Sequence, residues 1–219
     1  MALMAVGALA SAAIGAFADH LWVSSRARAG GAMSDTAPQT RALYRHRVDL
    51  FGRLGSGPTV IMLGDSITQG GEWSELIGPQ VANRGVGGDT SGALLTRLDA
   101  SLPASARTVL VMIGTNDLKA ADWSAGASAT NVSALMDRLK GRRVILQSVL
   151  YTADPQANRK IDDLNAAYSR LCETGRCEWL DLNPSVAPGG ALSHEDSLDG
   201  RHLNGDAYLR WASALKARL

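Results

Sequence analysis

The stretch Thr59-Val60-Ile61-Met62-Leu63-Gly64-Asp65-Ser66-Ile67-Thr68-Gln69-Gly70 decides how the chain is read. Its first five residues form a short apolar run without alternation, as a strand buried on both faces requires. The run stops at a glycine, and small polar residues then turn the chain toward a helix. A serine on such a turn projects its hydroxyl above the sheet edge, with its N–H at the positive end of the helix. The pattern is not G-x-S-x-G, and taken alone Gly-Asp-Ser reads equally well as a capped turn.

Outward from this stretch the same alternation repeats. Apolar runs at Gln80–Asn83, Thr108–Ile113, Arg143–Ser148 and Glu178–Leu182 join Thr59–Leu63 as strands. Amphipathic stretches at Glu72–Ile77, Ser91–Leu98, Ala127–Leu139, Asn158–Thr174 and Gly205–Leu219 read as helices between and after them. Strands alternating with helices imply right-handed parallel crossovers and an α/β fold. In such a fold ligands meet the carboxyl ends of the strands. Upstream, Asp35-Thr36-Ala37-Pro38 opens a helix over about 36–54, with Tyr44, Val48 and Phe51 at i, i+4, i+7 facing the domain. Arg41, Arg45 and Arg47 fall elsewhere and are expected on a solvated face.

The segments after the strands hold the polar, small-residue clusters. Asn83-Arg84-Gly85-Val86-Gly87-Gly88-Asp89-Thr90 offers backbone N–H groups to an anion, either a phosphate or a developing oxyanion. No Lys-Ser/Thr pair follows, which excludes a Walker loop, and the first strand lacks the G-x-G-x-x-G of a dinucleotide site. Gly114-Thr115-Asn116-Asp117 follows the third strand, where Asn116 is either an oxyanion donor or an Asx-turn. Near the C-terminus, Asp199-Gly200-Arg201-His202 puts a carboxylate three residues before a histidine, close enough to hold Nδ1–H and leave Nε2 as a base. The sequence has neither H-x-x-x-H nor a cysteine cluster, so neither metal nor cofactor is expected.

Together these clusters resemble the four blocks of the SGNH (GDSL) hydrolase superfamily over roughly residues 59–219. The Asn-Arg-Gly-Val-Gly-Gly-Asp-Thr string and the His-Leu-Asn-Gly-x-x-Tyr ending are similar to the branch of platelet-activating-factor acetylhydrolase subunits and bacterial carbohydrate acetylesterases. The resemblance implies a flavodoxin-like three-layer α/β/α sandwich with a five-stranded parallel sheet. It also implies Ser66 as nucleophile, His202 as base, Asp199 as the group orienting it, and an oxyanion hole of Ser66 N–H, Gly88 N–H and the Asn116 amide. Asp65, Trp73, Asp117 and Trp123 are candidates for lining the substrate. Asp65 is better suited to fixing the turn, and both tryptophans suit packing equally well. The implied partner is a small acyl ester, with an O-acetylated carbohydrate favoured. A thioesterase or lysophospholipase would use the same residues, and a non-catalytic glycan- or phosphate-binding module is the alternative from another class.

The totals exclude further classes. Of 219 residues, 22 are Lys or Arg and 21 Asp or Glu, leaving no polyelectrolyte field and no nucleic-acid partner to expect. Residues 1–58 carry six basic and three acidic side chains, so the remaining chain, with 16 against 18, is slightly acidic. The first 18 residues hold no charged side chain, and a helix of that length spans about 27 Å. Residues 1–23 therefore read as an export signal, with Ala16-Phe17-Ala18 as its cleavage site, or as a membrane anchor, joined by a linker at 24–34 to a hydrolase domain at 35–219. No basic residue precedes Arg26, however, and a helix packed on the domain remains open. Extracytoplasmic or membrane-anchored placement is the expectation, with a cytoplasmic-facing anchor or a cytoplasmic protein as the alternative, since Arg26 and Arg28 follow the run and the positive-inside rule would keep the domain on the cytoplasmic side. Cys172 and Cys177 flank a turn that a disulfide could close, and two free thiols fit equally well.

Overall fold

The computed structural model describes residues 42–219. The expected hydrophobic segment 1–23, the linker 24–34 and the start of the helix at 36–54 lie outside the described residues.

Five strands form one sheet: β1 (Val60–Gly64), β2 (Val81–Gly85), β3 (Thr108–Met112), β4 (Arg143–Gln147) and β5 (Glu178–Leu180). All neighbours are parallel, in the order β2-β1-β3-β4-β5. The chain therefore reverses its direction of growth between β1 and β3, the switch point where open α/β sheets bind ligands. Val60 pairs with Val81 and Thr108, and Gly64 with Gly85 and Met112, so these three strands end in register.

Side-chain alternation splits the buried residues into two layers. Ile61, Leu63, Val109 and Val111 face Leu94, Val132, Leu135, Ile161 and Leu164 on one side of the sheet. Val60, Met62, Leu110 and Met112 face Ile67, Trp73, Ala207, Trp211 and Leu215 on the other. The first layer belongs to α4 (Ser91–Thr96), α5 (Leu98–Ser101), α6 (Ala125–Arg138) and α7 (Pro155–Cys172). The second belongs to α2 (Ser66–Gln69), α3 (Trp73–Leu76), α8 (Asn183–Val186) and α9 (Gly205–Lys216), while α1 (Ala42–Arg53) precedes the first strand.

Helix starts follow capping chemistry. Thr90, Ser124, Asp154 and Asn204 each accept a backbone N–H at the first turn of α4, α6, α7 and α9. With Asp154 as cap and Pro155 inside the first turn, α7 begins earlier than the expected Asn158. The stretch Ser91–Leu98, expected as one helix, is broken at Arg97, whose side chain turns into the interior.

On α1, Tyr44 and Phe51 are buried against Val86 with Val48 beside them, as their spacing implies. Arg47 departs from the expected solvated face. Its Nε donates to Gly85 O at 2.5 Å, and its guanidinium lies 5.0 Å from the Phe51 ring centre. Phe51 and the end of β2 offer it a ring face and a carbonyl, a better setting for a guanidinium than a bare apolar interior. Cys172 and Cys177 are disulfide-bonded, joining the end of α7 to the start of β5. Among the described residues, no helix is long and apolar enough to cross a membrane.

Candidate active site

At the end of β1, Asp65 caps α2 by accepting the Ile67 N–H on Oδ1 at 2.9 Å. This puts Ser66 at the first helical position, where backbone N–H groups have no intrahelical acceptor. Ser66 Oγ lies 2.9 Å from His202 Nε2. The other ring nitrogen, Nδ1, is 2.8 Å from Asp199 Oδ2.

The loop before α9 holds this arrangement by its own hydrogen bonds. Asp199 Oδ1 accepts the N–H groups of Arg201 at 3.0 Å and His202 at 2.8 Å. Ser197 Oγ accepts from Gly200 N at 2.7 Å and donates to His202 O at 2.9 Å. Gly200 has φ +81°, a left-handed corner that a side chain would strain. Burial pushes the Asp199 carboxyl up, but the hydrogen bonds from the His202 backbone and ring outweigh it and hold the group below the ordinary value. An anionic Asp199 offers an acceptor to a proton on Nδ1, and Nε2 lies within hydrogen-bond distance of Ser66 Oγ. Tyr208, one turn into α9, donates to Ile67 O at 2.7 Å and ties this loop's helix to the serine's helix.

Facing Ser66 is the turn Val86–Asp89, closed by Asp89 N–H to Val86 O at 3.2 Å. Gly88 has φ +81° while Gly87 does not have positive φ, which makes this a type II turn. Both ends of the turn are anchored. Val86 N donates to Gly64 O at 3.0 Å. The Asp89 carboxylate pairs with Arg97 Nε at 2.6 Å, both side chains being buried. Arg97 also donates to Gly64 O at 3.0 Å and Ser101 Oγ at 2.8 Å. Burial pushes the Asp89 carboxyl up to about 6 against the pull of Arg97.

Asn116 Nδ2 donates to Asp89 O at 2.9 Å, and Lys119 Nζ donates to Asn116 Oδ1 at 2.9 Å. A donor at one end and an acceptor at the other fix which way the amide points. One Nδ2 hydrogen is taken by Asp89 O, and an NH2 group carries two. Ser66, the Gly88 turn and Asn116 thus stand at the ends of three neighbouring strands, as their spacing in the chain suggested.

The expected lining residues fare differently. Trp73 is 1% exposed and does not line a cleft: its Nε1 donates to Thr68 O at 2.7 Å and its ring packs edge-on against Trp211. Its apolar area is worth more inside the layer than at the surface. Asp65 is fully buried beneath the serine, and burial pushes its carboxyl up to about 7. Asp117, 8% exposed, accepts from Ser91 N at 2.9 Å, Ser91 Oγ and Ser128 Oγ at 2.9 Å, so it braces the turn after β3. Trp123 is half-buried against the sheet, with Lys160 Nζ 5.6 Å above its ring.

Sequence reasoning did not single out Gln69, Asn83, Arg97 or Lys119. Asn83 Nδ2 reaches Thr68 O, Gln69 O and Gly71 O at 3.1, 3.0 and 2.8 Å, while Oδ1 accepts from Gly85 N at 2.9 Å. It joins the end of α2 to the start of the glycine turn. A signal existed for Gln69, three residues after Ser66 and so on the same helix face, and for Asn83 within the quoted glycine-rich string. Arg97 carried none. Among the described residues, no group of three His, Cys, Asp or Glu side chains could hold a metal ion.

A search of curated proteins found no match to the sequence. Among solved structures, a protein from Streptococcus pneumonia described as a platelet activating factor is 26% identical, with a TM-score of 0.73 over 80% of this chain and 91% of that one. A GDSL-like lipase from Bacteroides thetaiotaomicron is 24% identical, with a TM-score of 0.69 over 80% of this chain and 96% of that one. An acetylxylan esterase from Geobacillus stearothermophilus, solved as a catalytic mutant, is 18% identical and shares the fold at a TM-score of 0.62, over 74% of this chain and 94% of that one. The model of the GDSL-like lipase/acylhydrolase family matches residues 62–210, a span that contains Ser66, Gly88, Asn116, Asp199 and His202. With the five-stranded parallel fold and these strand ends in agreement, the chain belongs to the GDSL-like lipase/acylhydrolase family and is a carboxylic ester hydrolase.

Proposed function

We propose that the protein is a serine esterase in which Ser66 is the nucleophile, His202 the general base and Asp199 the group that orients it. The observation carrying this reading is the continuous chain Asp199 Oδ2, His202 Nδ1 and Nε2, Ser66 Oγ, at 2.8 and 2.9 Å. Nε2 takes the Ser66 proton as Oγ bonds to the ester carbonyl carbon, and the carbonyl oxygen becomes an oxyanion. The Ser66 and Gly88 N–H groups and the second Asn116 hydrogen donate to it. Collapse of this intermediate expels the alcohol, which takes the proton from Nε2. Water then repeats the sequence on the acyl-serine, releasing the acid and regenerating Ser66.

The substrate favoured is a short acyl ester, an acetyl group on a carbohydrate. Support comes from the sequence resemblance to carbohydrate acetylesterases, and the solved acetylxylan esterase has the same fold. The Cys172–Cys177 bond and the uncharged first 18 residues support extracytoplasmic or membrane-anchored placement.

The test is a p-nitrophenyl ester series from C2 to C12, with fluorophosphonate labelling. Hydrolysis peaking at C2–C4, labelling of the wild type, and loss of both in Ser66→Ala by at least about 10³-fold are expected. Full activity in Ser66→Ala overturns the assignment. An optimum above C8 replaces the acetyl ester by a long-chain lipid, and turnover confined to thioesters makes the enzyme a thioesterase.

A further inference from the structure

Ser66 and Gln69 stand three residues apart on α2, so their side chains rise from the same face of the helix. Gln69 is exposed and does not belong to the Asp199–His202–Ser66 chain. Its Oε1 nevertheless accepts the Gly87 N–H at 2.7 Å. The backbone of Gly87 passes close above this face: a Cβ built there would sit 3.5 Å from Gln69 Oε1 and 3.8 Å from Ser66 Cβ.

The turn Val86–Asp89 is secured at its corners by Gly64, Arg97 and Asn116, as described above. Between those corners lies the Gly87–Gly88 peptide, whose N–H is the proposed oxyanion donor. Types I and II of a β-turn differ by rotation of this central peptide, and the positive φ of its second residue is what sets type II apart. Side chains ordinarily limit that choice, but here both central residues are glycines and neither offers a Cβ to resist it. In the rotated form the Gly88 N–H would leave the site and the Gly87 carbonyl would take its place, where its negative end would oppose a developing oxyanion. The Gly87 N–H lies on the preceding peptide, and without an acceptor it would turn to solvent and carry Gly87, and with it the central peptide, out of place.

We propose that Gln69 is a positioning residue for the oxyanion hole: by accepting the Gly87 N–H it fixes the Val86–Gly87 peptide and so the place of Gly87 over Ser66, from which the Gly87–Gly88 peptide presents the Gly88 N–H to the oxygen that forms on the Ser66-bound carbonyl. The inference rests on the reading of Gly88 as an oxyanion donor. It assigns Gln69 no contact with substrate, so its effect belongs to the transition state and not to ground-state binding.

The test compares the wild type with Gln69→Met, close in size but without the acceptor, and Gln69→Asn, which is one methylene too short to reach Gly87. Active sites are first counted by stoichiometric fluorophosphonate labelling. Per active site, kcat on p-nitrophenyl acetate falls about 5–20-fold in both variants, a fraction of what losing a whole donor costs, with KM changed less than about twofold. The rate of fluorophosphonate inactivation falls by a similar factor, because the phosphonyl oxygen uses the same hole. Tm falls by no more than about 3 °C, since the lost bond is solvent-exposed. Unchanged kcat, or a defect confined to KM, overturns the inference while leaving the esterase reading intact. A wild type that neither labels nor turns over overturns the esterase reading instead.

Discussion

Asp65 precedes Ser66, yet its carboxyl belongs to the interior: it caps α2 with Oδ1 and is fully buried. Burial is the largest influence on its proton and pushes its pKa up to about 7, from an ordinary 3.8. Below about pH 4 folded and unfolded chains both hold this proton. Between about pH 4 and 7 the unfolded chain releases it while the folded chain keeps it, so stability falls as pH rises through that window. Asp65→Asn keeps the cap acceptor and removes the ionisation. Relative to wild type, the variant is expected to gain about 2–3 kcal/mol between pH 5 and pH 8 in urea unfolding. A difference that does not change with pH refutes the buried-acid account. Ser66, Asp199 and His202 were legible in the chain because each sits in a short local pattern: a turn after a strand, and an acid three residues before an imidazole. Trp73 was not legible in this way, because an indole near Ser66 packs or lines with the same sequence neighbours, and only its 1% exposure decides.

At the scale of elements, the turn Val86–Asp89 is held by Arg97, at the junction of α4 and α5, and by Tyr44 and Phe51 of α1, which pack on Val86. Arg97 breaks the expected Ser91–Leu98 helix because its guanidinium serves Asp89, Ser101 and Gly64 O at once. Replacing it with methionine fills similar volume but leaves the Asp89 carboxylate buried and unpaired. Arg97→Met is expected to cost about 3–5 kcal/mol in urea unfolding. Its kcat is expected to fall as well, since Asn116 hangs on the Asp89 carbonyl. A variant as stable as wild type refutes the pairing. The periodicity that located α1 also identified its buried side correctly in Tyr44 and Phe51. It misplaced Arg47, because amphipathic patterns treat every arginine as solvated and carry no record of the carbonyl and ring that β2 and Phe51 supply. The helix α2 escaped periodicity for a simpler reason: its four residues are little more than one turn.

At the scale of the molecule, β1, β2 and β3 end together at the sheet's switch point, while the Cys172–Cys177 bond sits at the start of β5. Parallel strands put their amino and carboxyl ends on opposite edges, so the disulfide and the serine lie at opposite ends of the sheet. Cleaving a bond that closes so short a loop is expected to lower stability by about 2 kcal/mol, and Cys172→Ser/Cys177→Ser should retain the wild-type kcat. Loss of turnover with stability unchanged would contradict that separation.

The chain by itself determined the class of fold, the strand positions and the residues at the strand ends. Those follow from local causes: unbroken apolar runs mark strands buried on both faces, glycines mark turns, and capping side chains mark helix starts. Tertiary structure alone decided which of those residues brace the strand ends and which meet across them. Gln69 and Gly87 are 18 residues apart, Asp89 and Asn116 27, and Ser66 and His202 136. Contacts at such separations are set by strand order and register, and by which polar groups burial leaves in need of a partner. Neither is encoded in any short window of sequence.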